Sequence, residues 1–554
     1  MPHPPFEYHT EDFTASERDL LRPYFTNLDA PVFALINLPE VVKGALFARY
    51  SRSPLSLRRL FLDEFVSNPE LGIQLISGFK SDISSPVHVR HAESLYRRIF
   101  SDYGDDSVAQ LGGVHLACEQ SSNLLTKVLE WGRLSAYLEQ STRYIRYDRP
   151  LGNRWRYYVP PELEATRWVG EFHIAMDLLF SAYSHLASEL TDRFQSHYPR
   201  GHDSEAVWRA TLRAKACDIA RGLLPVATMS NVGIYANGQA FEAMILRMRS
   251  LPLCEARTYS ELMLGELRHV IPAFMARIDI QDKGIATTKY MDDVRQKLQT
   301  LIASINPPVV SNQSEFSVHL VDWDRDGEEK VVADALFAPS ICSATELRRL
   351  AASMSIAERN AVLDAYIGDR GNRRHKPGRA FEAANYHFEI VCDYANFRDL
   401  QRHRMLTVDW QRLTPLHGFT TPKEVVEIGG EGEWKHAIES AVSLYYQLNE
   451  NVGPDVAQYV LPFCNRIRFY LRLNAREAMH LIELRTGRGG HTQYRQVCQR
   501  MLELIRDQAQ HRAIARAINF ADMTPDYELA RLDTERRAES KRHKNITEHL
   551  PSDR

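Results

Sequence analysis

The second half of the chain carries a compact basic triplet, Arg402-His403-Arg404. On a helix, successive side chains point about 100° apart, so the three could not reach one small target. On an extended segment, Arg402 and Arg404 face one way and His403 the other. Because the planar fork of arginine suits phosphate, either geometry fits a large polyanion. The triplet therefore indicates a phosphate-binding segment or, alternatively, a solvated basic face.

A second set of polar residues lies about 70 residues further on, in a segment rich in Ala, Met, Leu and Glu that predicts a helix over 474–485. Asn474 and Arg485 are eleven residues apart, or about three helical turns, so they lie on the same side of the helix. Asparagine offers a donor and an acceptor, and arginine offers a fork of donors. The pair could hold the edge of a nucleobase, or it could belong to an ordinary capped surface helix.

The first half carries a different cluster, in which a carboxylate, an amide, two hydroxyls and a guanidinium follow one another in Glu139-Gln140-Ser141-Thr142-Arg143. This composition is typical of a loop around a polar ligand. The alternative is a helix surface on which Glu139 and Arg143 form an i,i+4 ion pair of small energy.

An internal repeat relates the two halves. Residues 45–60 (ALFARYSRSPLSLRRL) recur as residues 335–350 (ALFAPSICSATELRRL), and nine positions are identical, namely Ala45, Leu46, Phe47, Ala48, Ser53, Leu57, Arg58, Arg59 and Leu60. A repeat of this length predicts two copies of one fold. Since the copies are followed by different polar clusters, we interpret the clusters as one anion site divided between two halves.

The coarse organisation is α+β and helix-rich, with a small sheet in each half. The predicted boundaries are a first domain at 31–275, a linker at 276–315, a second domain at 316–525 and a charged tail at 526–554. The linker includes a helix near 290–305 and ends at Pro307-Pro308, which cannot continue a helix. Residues 316–337 predict a two-stranded hairpin, residues 1–30 a loosely helical lead-in, and the tail a solvated, fraying helix.

Bulk properties exclude several classes of function. The net charge of −3 argues against nucleic acid as a partner, and the chain contains no apolar run near 18 residues, which argues against a membrane-spanning protein. We expect no signal peptide at the start of the sequence. Seven scattered cysteines favour a reducing cytoplasm, and without a CxxC or HExxH motif we expect no metal site.

Taken in order, these motifs resemble the flavin-dependent thymidylate synthases, over most of 316–500 and more weakly over 40–250. The triplet, an Asn-x-Arg helix ending in Leu-Arg (474–485), a Glu-x-Ser-x-Arg-Tyr loop (139–144) and an Ala-Arg-x-x-Leu-Pro segment (220–225) all occur in that family. The resemblance implies two tandem copies of the family's domain, each with a small antiparallel sheet packed by helices.

The same resemblance implies the chemistry and its residues. The expected activity is the reductive methylation of dUMP to dTMP with FAD, methylenetetrahydrofolate and NADPH, without a cysteine nucleophile. The expected FAD-binding residues are Arg402, His403, Arg404, Asn474, Arg476 and Glu382. The expected dUMP-binding residues are Glu139, Gln140, Ser141, Arg143, Arg221 and Arg485, of which Arg485 also orients and polarises the pyrimidine ring as the catalytic residue.

Each half lacks the motif residues that the other retains. The second half has Trp410 and Thr414 in place of the loop's Glu and Arg, and Gln458 in place of Arg221. The first half has Trp131-Gly132-Arg133, Gln239 and Met248 in place of the triplet and the two helix arginines. This complementary loss predicts a composite site, with a homodimer that mimics the family's tetramer. Asp399 also stands where the family has a glutamine.

Two other functions stay open. The missing residues are compatible with a non-catalytic flavin- or nucleotide-binding homologue, and the departures from the motifs are compatible with methylation of another uracil nucleotide. The sequence also leaves open whether the composite site forms within one chain or across a dimer.

Overall fold

The computed structural model describes residues 8, 9, 11–38, 50, 53–66, 113–307 and 316–548. The chain divides into two compact units. The first comprises Met1–Ser184, Leu224–Ser311 and Lys435–Pro462, and the second comprises His185–Leu223, Asn312–Trp434 and Phe463–Arg554. Each unit therefore takes segments from both halves of the sequence, and the predicted domain borders stay a prediction. Ala45–Ala48 of the internal repeat, and Pro308 of the predicted linker, lie outside the described residues.

The first unit contains a four-stranded antiparallel sheet with the strand order β1-β2-β4-β3. Its strands are β1 (Val32–Leu35), β2 (Gly113–Ser122), β3 (Ala136–Glu139) and β4 (Met229–Asn237). The central strand β2 is almost entirely buried, as expected for a strand that is covered on both faces.

Apart from these strands, the first half of the sequence is mainly helical. The segment His185–Leu223, with the end of α4 (Trp168–His197) and all of α5 (Glu205–Ala220), belongs to the second unit. The helices of the first half are α1 (Ala15–Leu21), α2 (Leu57–Leu60), α3 (Asn123–Leu129), α4 (Trp168–His197), α5 (Glu205–Ala220), α6 (Gly238–Arg249), α7 (Cys254–Val270), α8 (Pro272–Met275) and α9 (Ala286–Ile305). Short 3-10 turns are formed by Pro161–Leu163, Arg221–Leu223 and Ala276–Asp279, and π-helical turns by Phe61–Val66 and Gln281–Ile285.

The second unit contains a sheet of the same topology, in the order β5-β6-β8-β7. Its strands are β5 (Ser317–Trp323), β6 (Asn385–Asp393), β7 (Thr407–Trp410) and β8 (Arg466–Asn474). In β8 the apolar residues at alternate positions are buried, while the intervening side chains, three of them arginines, are more exposed, which is the period-two pattern of a strand.

Helices again make up most of the second half of the sequence. They are α10 (Gly327–Phe337), α11 (Ala344–Ser353), α12 (Ile356–Ile367), α13 (Tyr394–Gln401), α14 (Lys423–Glu427), α15 (Glu431–Asn451), α16 (Pro454–Ala457), α17 (Ala475–Arg485), α18 (Thr492–Asp507), α19 (Arg512–Ala517) and α20 (Leu532–Glu548). The 3-10 turns here are Arg379–Ala383, Pro415–His417 and Gln458–Val460.

The two sheets correspond strand by strand. Glu139 at the end of β3 pairs with Val232, and Trp410 at the end of β7 pairs with Phe469. Val232 precedes Asn237 by the same number of residues as Phe469 precedes Asn474, so the registers are equivalent. The predicted fold class, helix-rich with two tandem copies that each hold a small antiparallel sheet, is confirmed.

Several local predictions are confirmed and others are wrong. The helices predicted near 290–305 and over 474–485 are α9 and α17. The predicted hairpin over 316–337 is wrong, because only β5 is a strand and residues from Gly327 onward form α10; the segment is rich in Glu, Ala and Leu, which favour a helix. Of the lead-in residues that the structure describes (8, 9 and 11–30), only α1 is helical.

The charged tail is helical as predicted, but its first part is not simply solvated. Arg536 forms an ion pair with Asp203 at 2.6 Å, and the side chain of Arg531 is buried. The tail therefore docks against the region of α5 within the second unit. Among the described residues, the longer helices are too polar for any of them to cross a lipid bilayer.

Candidate functional site

The basic triplet follows directly from a buried strand and helix. The strand β6 leads into α13, in which every residue is buried. The helix ends at Arg402, which has φ −71° and ψ 1°, and His403 and Arg404 continue in a turn before β7. Neither the regular helix nor the extended segment considered from the sequence is present. The turn leaves His403 buried and Arg404 exposed, so the three side chains face different surroundings.

The carboxylate of Asp399 collects guanidinium groups at the end of α13. Arg402 donates a hydrogen bond to Oδ1, and Nη1 of Arg485 lies 3.6 Å from the same oxygen. Nη2 of Arg221 lies 3.9 Å from Oδ2. Because the Asp399 side chain is only 10% exposed, these interactions are weakly screened by water. The corresponding residue of the first half, six positions after its strand, is Val128, so the carboxylate is specific to the second half.

Arg221 comes from the first half of the sequence but belongs to the second unit. It begins the 3-10 turn that follows α5, and it is buried. The next residue, Gly222, accepts a hydrogen bond from the backbone of Cys464 at 2.9 Å. A Cβ at Gly222 would come within 2.7 Å of the Trp434 ring, so this position needs the absence of a side chain. The turn thus brings a first-half arginine to a second-half carboxylate.

A second set of contacts holds Arg485 from another direction. Its Nε donates a hydrogen bond of 2.9 Å to Nε2 of His403, whose Nδ1 lies 3.2 Å from Oε1 of Glu477. His403 is buried, and burial together with the positive charges of Arg485 and Arg402 places its pKa well below the usual histidine range. Burial raises the pKa of Glu477 to about 7.

A second histidine, His480, packs against His403 and has strongly positive surroundings. Burial, together with the positive charges of Lys376, Arg373, Arg485 and Arg476, lowers the pKa of His480 to about 4. His403, Glu477 and His480 lie close enough together to hold a metal ion. We regard them as an unfavourable metal site, because a divalent cation would be placed among several cationic side chains. The surrounding cationic side chains suit an anionic group better.

The helix α17 carries two more of the predicted flavin-binding residues. Asn474 is its N-cap, and its side-chain oxygen accepts from the backbone of Glu477 at 2.9 Å. Asn237 caps α6 of the first half in the same way, although that half lacks the arginines. Arg476 donates to the carbonyl of Pro377 at 3.0 Å and lies 3.4 Å from Glu382. The capped-helix interpretation of Asn474 is therefore realised.

The remaining predicted residues lie in the first unit, at the end of β3 and in the loop that follows it. Glu139 is buried, and Nζ of Lys127 lies 3.3 Å from its carboxylate. Gln140 donates to the carbonyl of Ser53 at 2.6 Å, and Ser141 accepts from the backbone of Arg143 at 3.3 Å. The segment leaves a strand and turns, so the alternative of a helix surface is wrong, while the polar ligand expected beside the loop stays a prediction.

A cavity of about 420 Å³ lies in the second unit and includes Arg221 in its lining. Its volume is in the range of small-molecule sites. Asp393 and Asn396 line it from the junction of β6 and α13, and Asp526–Arg531 of the tail lines it from another direction. Burial raises the pKa of Asp393 to about 6, although Thr420 donates to its carboxylate at 2.6 Å.

Residues 72–273 and 320–509 match the sequence model of the thymidylate synthase complementing proteins. The chain belongs to this family. A UPF0159 protein of Chlamydia pneumoniae is 36% identical over 535 residues, covering 96% of this chain and 98% of the relative. A UPF0159 protein of Thermoplasma acidophilum is 30% identical, covering 89% of this chain and 97% of the relative. The relatives of similar length therefore share the tandem arrangement.

A flavin-dependent thymidylate synthase of Clostridium tetani is 26% identical over 219 residues, covering 38% of this chain and 82% of the relative. Among solved structures, a UMP/dUMP methylase from Streptomyces cacaoi bound with 5-Br dUMP is 19% identical with a TM-score of 0.29, covering 37% of this chain and 97% of that chain. Both relatives align with a little over a third of this chain, and each is nearly spanned by it.

The second unit thus brings together Arg221, Arg402, His403 and Arg485, and the loop 139–143 belongs to the first unit. The sequence did not indicate the roles of Glu477 and His480 or the three-way pairing of Asp399. One signal was available in the sequence. Glu477 and His480 are three residues apart, so they lie on one face of a helix, and a second histidine is present in the triplet 402–404.

Proposed function

We propose that this protein is an FAD-dependent methylase that converts dUMP to dTMP with methylenetetrahydrofolate and NADPH. Membership of the thymidylate synthase complementing family supports a uracil-nucleotide methylase in general. One observation supports a site shared between the halves: Arg221, retained only by the first half, lies beside Asp399 together with Arg402 and Arg485, retained only by the second.

In this proposal the arginines divide the nucleotide between them. Arg221 binds the phosphate of dUMP. The other proposed dUMP-binding residues are Glu139, Gln140, Ser141 and Arg143. Arg485 contacts the pyrimidine ring and stabilises negative charge that develops on a ring oxygen. Its guanidinium is preorganised by His403 on one side and Asp399 on the other, so little reorganisation is needed at the moment of reaction.

Arg402, His403, Arg404, Asn474, Arg476 and Glu382 are the proposed FAD-binding residues. The support is the positive environment of His480, which suits a dinucleotide pyrophosphate. When bound, FAD supplies the hydride that completes the methyl group. The capping role of Asn474 means that its contribution is partly structural, because its side-chain oxygen is already engaged.

The test is release of tritium from [5-³H]dUMP by the full-length protein supplied with FAD, methylenetetrahydrofolate and NADPH. We expect release that depends on all three, and an Arg485→Lys variant that keeps the charge but loses the fork should lose most of it. A folded, flavin-loaded protein that releases nothing would contradict the assignment to dUMP. A protein that binds FAD and dUMP without turnover would support the non-catalytic alternative.

A second candidate, methylation of a different pyrimidine nucleotide, is favoured by Asp399. A carboxylate only accepts hydrogen bonds, whereas the glutamine expected from the resemblance both donates and accepts. The position therefore favours a ligand that presents a donor. A panel of dUMP, UMP and dCMP, each labelled at C5, separates this candidate from the first, and Asp399→Gln should shift the preference toward dUMP.

We also propose that the protein acts as a homodimer in the cytoplasm. Seven scattered cysteines, five of them buried, are compatible with a reducing compartment. If the composite site is formed between chains, mixing inactive Arg143→Ala and Arg402→Ala proteins should restore part of the activity. If it is formed within one chain, the mixture should stay inactive while each single variant is also inactive.

A further inference from the structure

Glu477 is a buried carboxyl that the proposed function does not use. It lies in the first turn of α17 and is 8% exposed, and its Oε1 is 3.2 Å from Nδ1 of His403. The other ring nitrogen of His403 receives the hydrogen bond from Nε of Arg485 at 2.9 Å. The three side chains therefore form a continuous path from Glu477 to the guanidinium.

The chemistry of the three groups fixes where the proton of His403 lies. A guanidinium can only donate, so Nε2 of His403 must be the unprotonated nitrogen that accepts from Arg485. Because burial and nearby positive charge keep His403 neutral, its single N–H is then at Nδ1. That N–H points at Glu477, which must accept. The contact with Arg485 thus depends on an acceptor at Glu477.

We propose that Glu477 is a positioning residue that acts through His403 to hold the Arg485 guanidinium toward the pyrimidine. This inference rests on the proposed function, which assigns the pyrimidine contact to Arg485. The guanidinium is also restrained by Asp399, whose carboxylate lies 3.6 Å from Nη1, so Asp399 holds it directly and Glu477 holds it through His403. The corresponding first-half residue, three positions after Asn237, is Ala240, and that half has Met248 instead of Arg485.

The arrangement is sensitive to pH near neutrality. Burial raises the pKa of Glu477 to about 7, although the positive charges of Lys376 and Arg476 lower it. The other titratable or charged groups nearby are His403, which contacts Glu477, and Arg485 and His480, which both contact His403. Above this pH the carboxylate accepts from Nδ1 of His403. Below it, a protonated Glu477 donates to Nδ1, the ring proton moves to Nε2, and Nε2 can no longer accept from Arg485. Nucleotide affinity should therefore rise as the pH rises through about 7.

The test compares wild type, Glu477→Gln and a control, Glu389→Gln. Glu389 lies in β6, is paired with Arg468 at 3.6 Å and is not among the proposed binding residues. The affinity for dUMP is measured by calorimetry between pH 6 and pH 8.5. Removal of a hydrogen bond to a charged group corresponds to roughly a tenfold change in affinity. We therefore expect wild type and control to bind dUMP roughly 10-fold more tightly at pH 8.5 than at pH 6. The phosphate of dUMP also titrates near pH 6, but it affects all three proteins alike.

Glu477→Gln should lose this additional dependence on pH, because glutamine does not titrate. Two readouts do not require nucleotide binding. Nitrogen-15 NMR of histidine-labelled protein, with His403→Gln used for assignment, should show Nε2 unprotonated at pH 8. The urea midpoint of wild type should fall more than that of Glu477→Gln between pH 5 and pH 8, since a raised carboxyl pKa in the folded state costs stability when the group ionises.

The outcomes separate the inference from the proposed function. Equal pH profiles for wild type and Glu477→Gln, or a proton on Nε2 of His403 at pH 8, would overturn the role of Glu477 and leave the methylase proposal intact. Failure of all three proteins to bind dUMP would contradict the proposed function. In that case the NMR and urea measurements still decide whether Glu477 sets the state of His403.

Discussion

Asp399 shows how one side chain can join residues from distant parts of the sequence. Its carboxylate contacts Arg402 from the same turn, Arg485 from α17 and Arg221 from the end of α5. Three guanidinium groups near each other repel, and a single buried carboxylate offsets part of that repulsion. The carboxylate therefore lowers the electrostatic cost of holding the three guanidinium groups close together.

We expect Asp399→Asn to lower the free energy of unfolding by about 3 kcal/mol, because removing one partner leaves buried positive charge uncompensated. Urea denaturation of the full chain measures this. The control is Asp507→Asn, which removes a carboxylate that is 61% exposed and paired with Arg506, and should leave the free energy of unfolding almost unchanged. Equal effects of the two substitutions would show that the cluster is not electrostatically coupled.

The role of an individual residue could be predicted where the residue lies in a recognisable sequence motif. Arg221, Arg402 and Arg485 could be selected because each lies in a short pattern that survives in one half. Glu477 could not, because its importance depends on the tautomer of His403, which is decided by a contact across 74 residues of sequence. Asn474 is proposed to bind FAD and its side-chain oxygen also caps α17, and capping asparagines look the same in sequence as ligand-binding ones.

At the scale of the element, the turn Arg221–Leu223 positions the first-half arginine. Gly222 allows this turn to pack against Trp434 and Cys464, which a Cβ would meet at 2.7 Å and 3.3 Å. We expect Gly222→Ala to cost about 1–3 kcal/mol, because the buried indole must shift. It should also weaken dUMP binding, since Arg221 is the preceding residue. Thermal unfolding and calorimetry measure the two effects.

The matched control for this substitution is Gly265→Ala in α7, where an added Cβ meets nothing within 4 Å. There the replacement should raise stability by about 0.5–1 kcal/mol, because alanine is the better helix former. If Gly222→Ala is as well tolerated as Gly265→Ala, the close packing around Gly222 has no energetic importance.

The two asparagine caps provide a second comparison between elements. Asn474→Ala and Asn237→Ala should each lower stability by about 1 kcal/mol, because each removes an acceptor for a backbone N–H of the first helical turn. Asn474→Asp keeps a carboxyl oxygen in the cap and should restore stability. A far larger loss for Asn474→Ala than for Asn237→Ala would contradict a simple capping role.

Some elements were predictable and others were not, for physical reasons. The helices α9 and α17 have strong periodicity and few breakers, so sequence alone located them. The second strand of the predicted hairpin was wrong because Asp326-Gly327, which looks like a hairpin turn, instead precedes α10, where Glu328 and Glu329 suit a helix N-terminus. An Asp-Gly pair is compatible with a hairpin turn and with the start of a helix. Here the helix propensity of the following residues favours the helix, which begins at Gly327 with Asp326 as its N-cap.

At the scale of the whole molecule, neither half of the sequence supplies a complete second unit. That unit needs His185–Leu223 from the first half, which contributes α5 and contacts such as Lys215 with Glu424 and Arg536 with Asp203. The internal repeat predicted two copies of one fold correctly. It could not predict the exchange of segments, because pattern similarity reports which elements exist and not which copy they pack against.

We therefore expect a fragment of residues 316–554 to be poorly folded when it is expressed alone, and to recover when it is co-expressed with residues 1–315. Size-exclusion chromatography and circular dichroism measure both states. Co-expression with a 1–315 fragment carrying Gly265→Ala, a substitution in α7 of the first unit, serves as a control for general association. A monomeric, folded 316–554 fragment that binds dUMP like the full chain would contradict the shared construction of the site.

The central claim is that the two halves supply complementary arginines to one uracil-nucleotide site. The most direct measurement is tritium release from [5-³H]dUMP by wild type and by Arg221→Ala, each supplied with FAD, methylenetetrahydrofolate and NADPH. Loss of a charged contact worth about 3 kcal/mol predicts release at least about 100-fold slower in the variant at limiting dUMP. Equal release by the two proteins would contradict the claim.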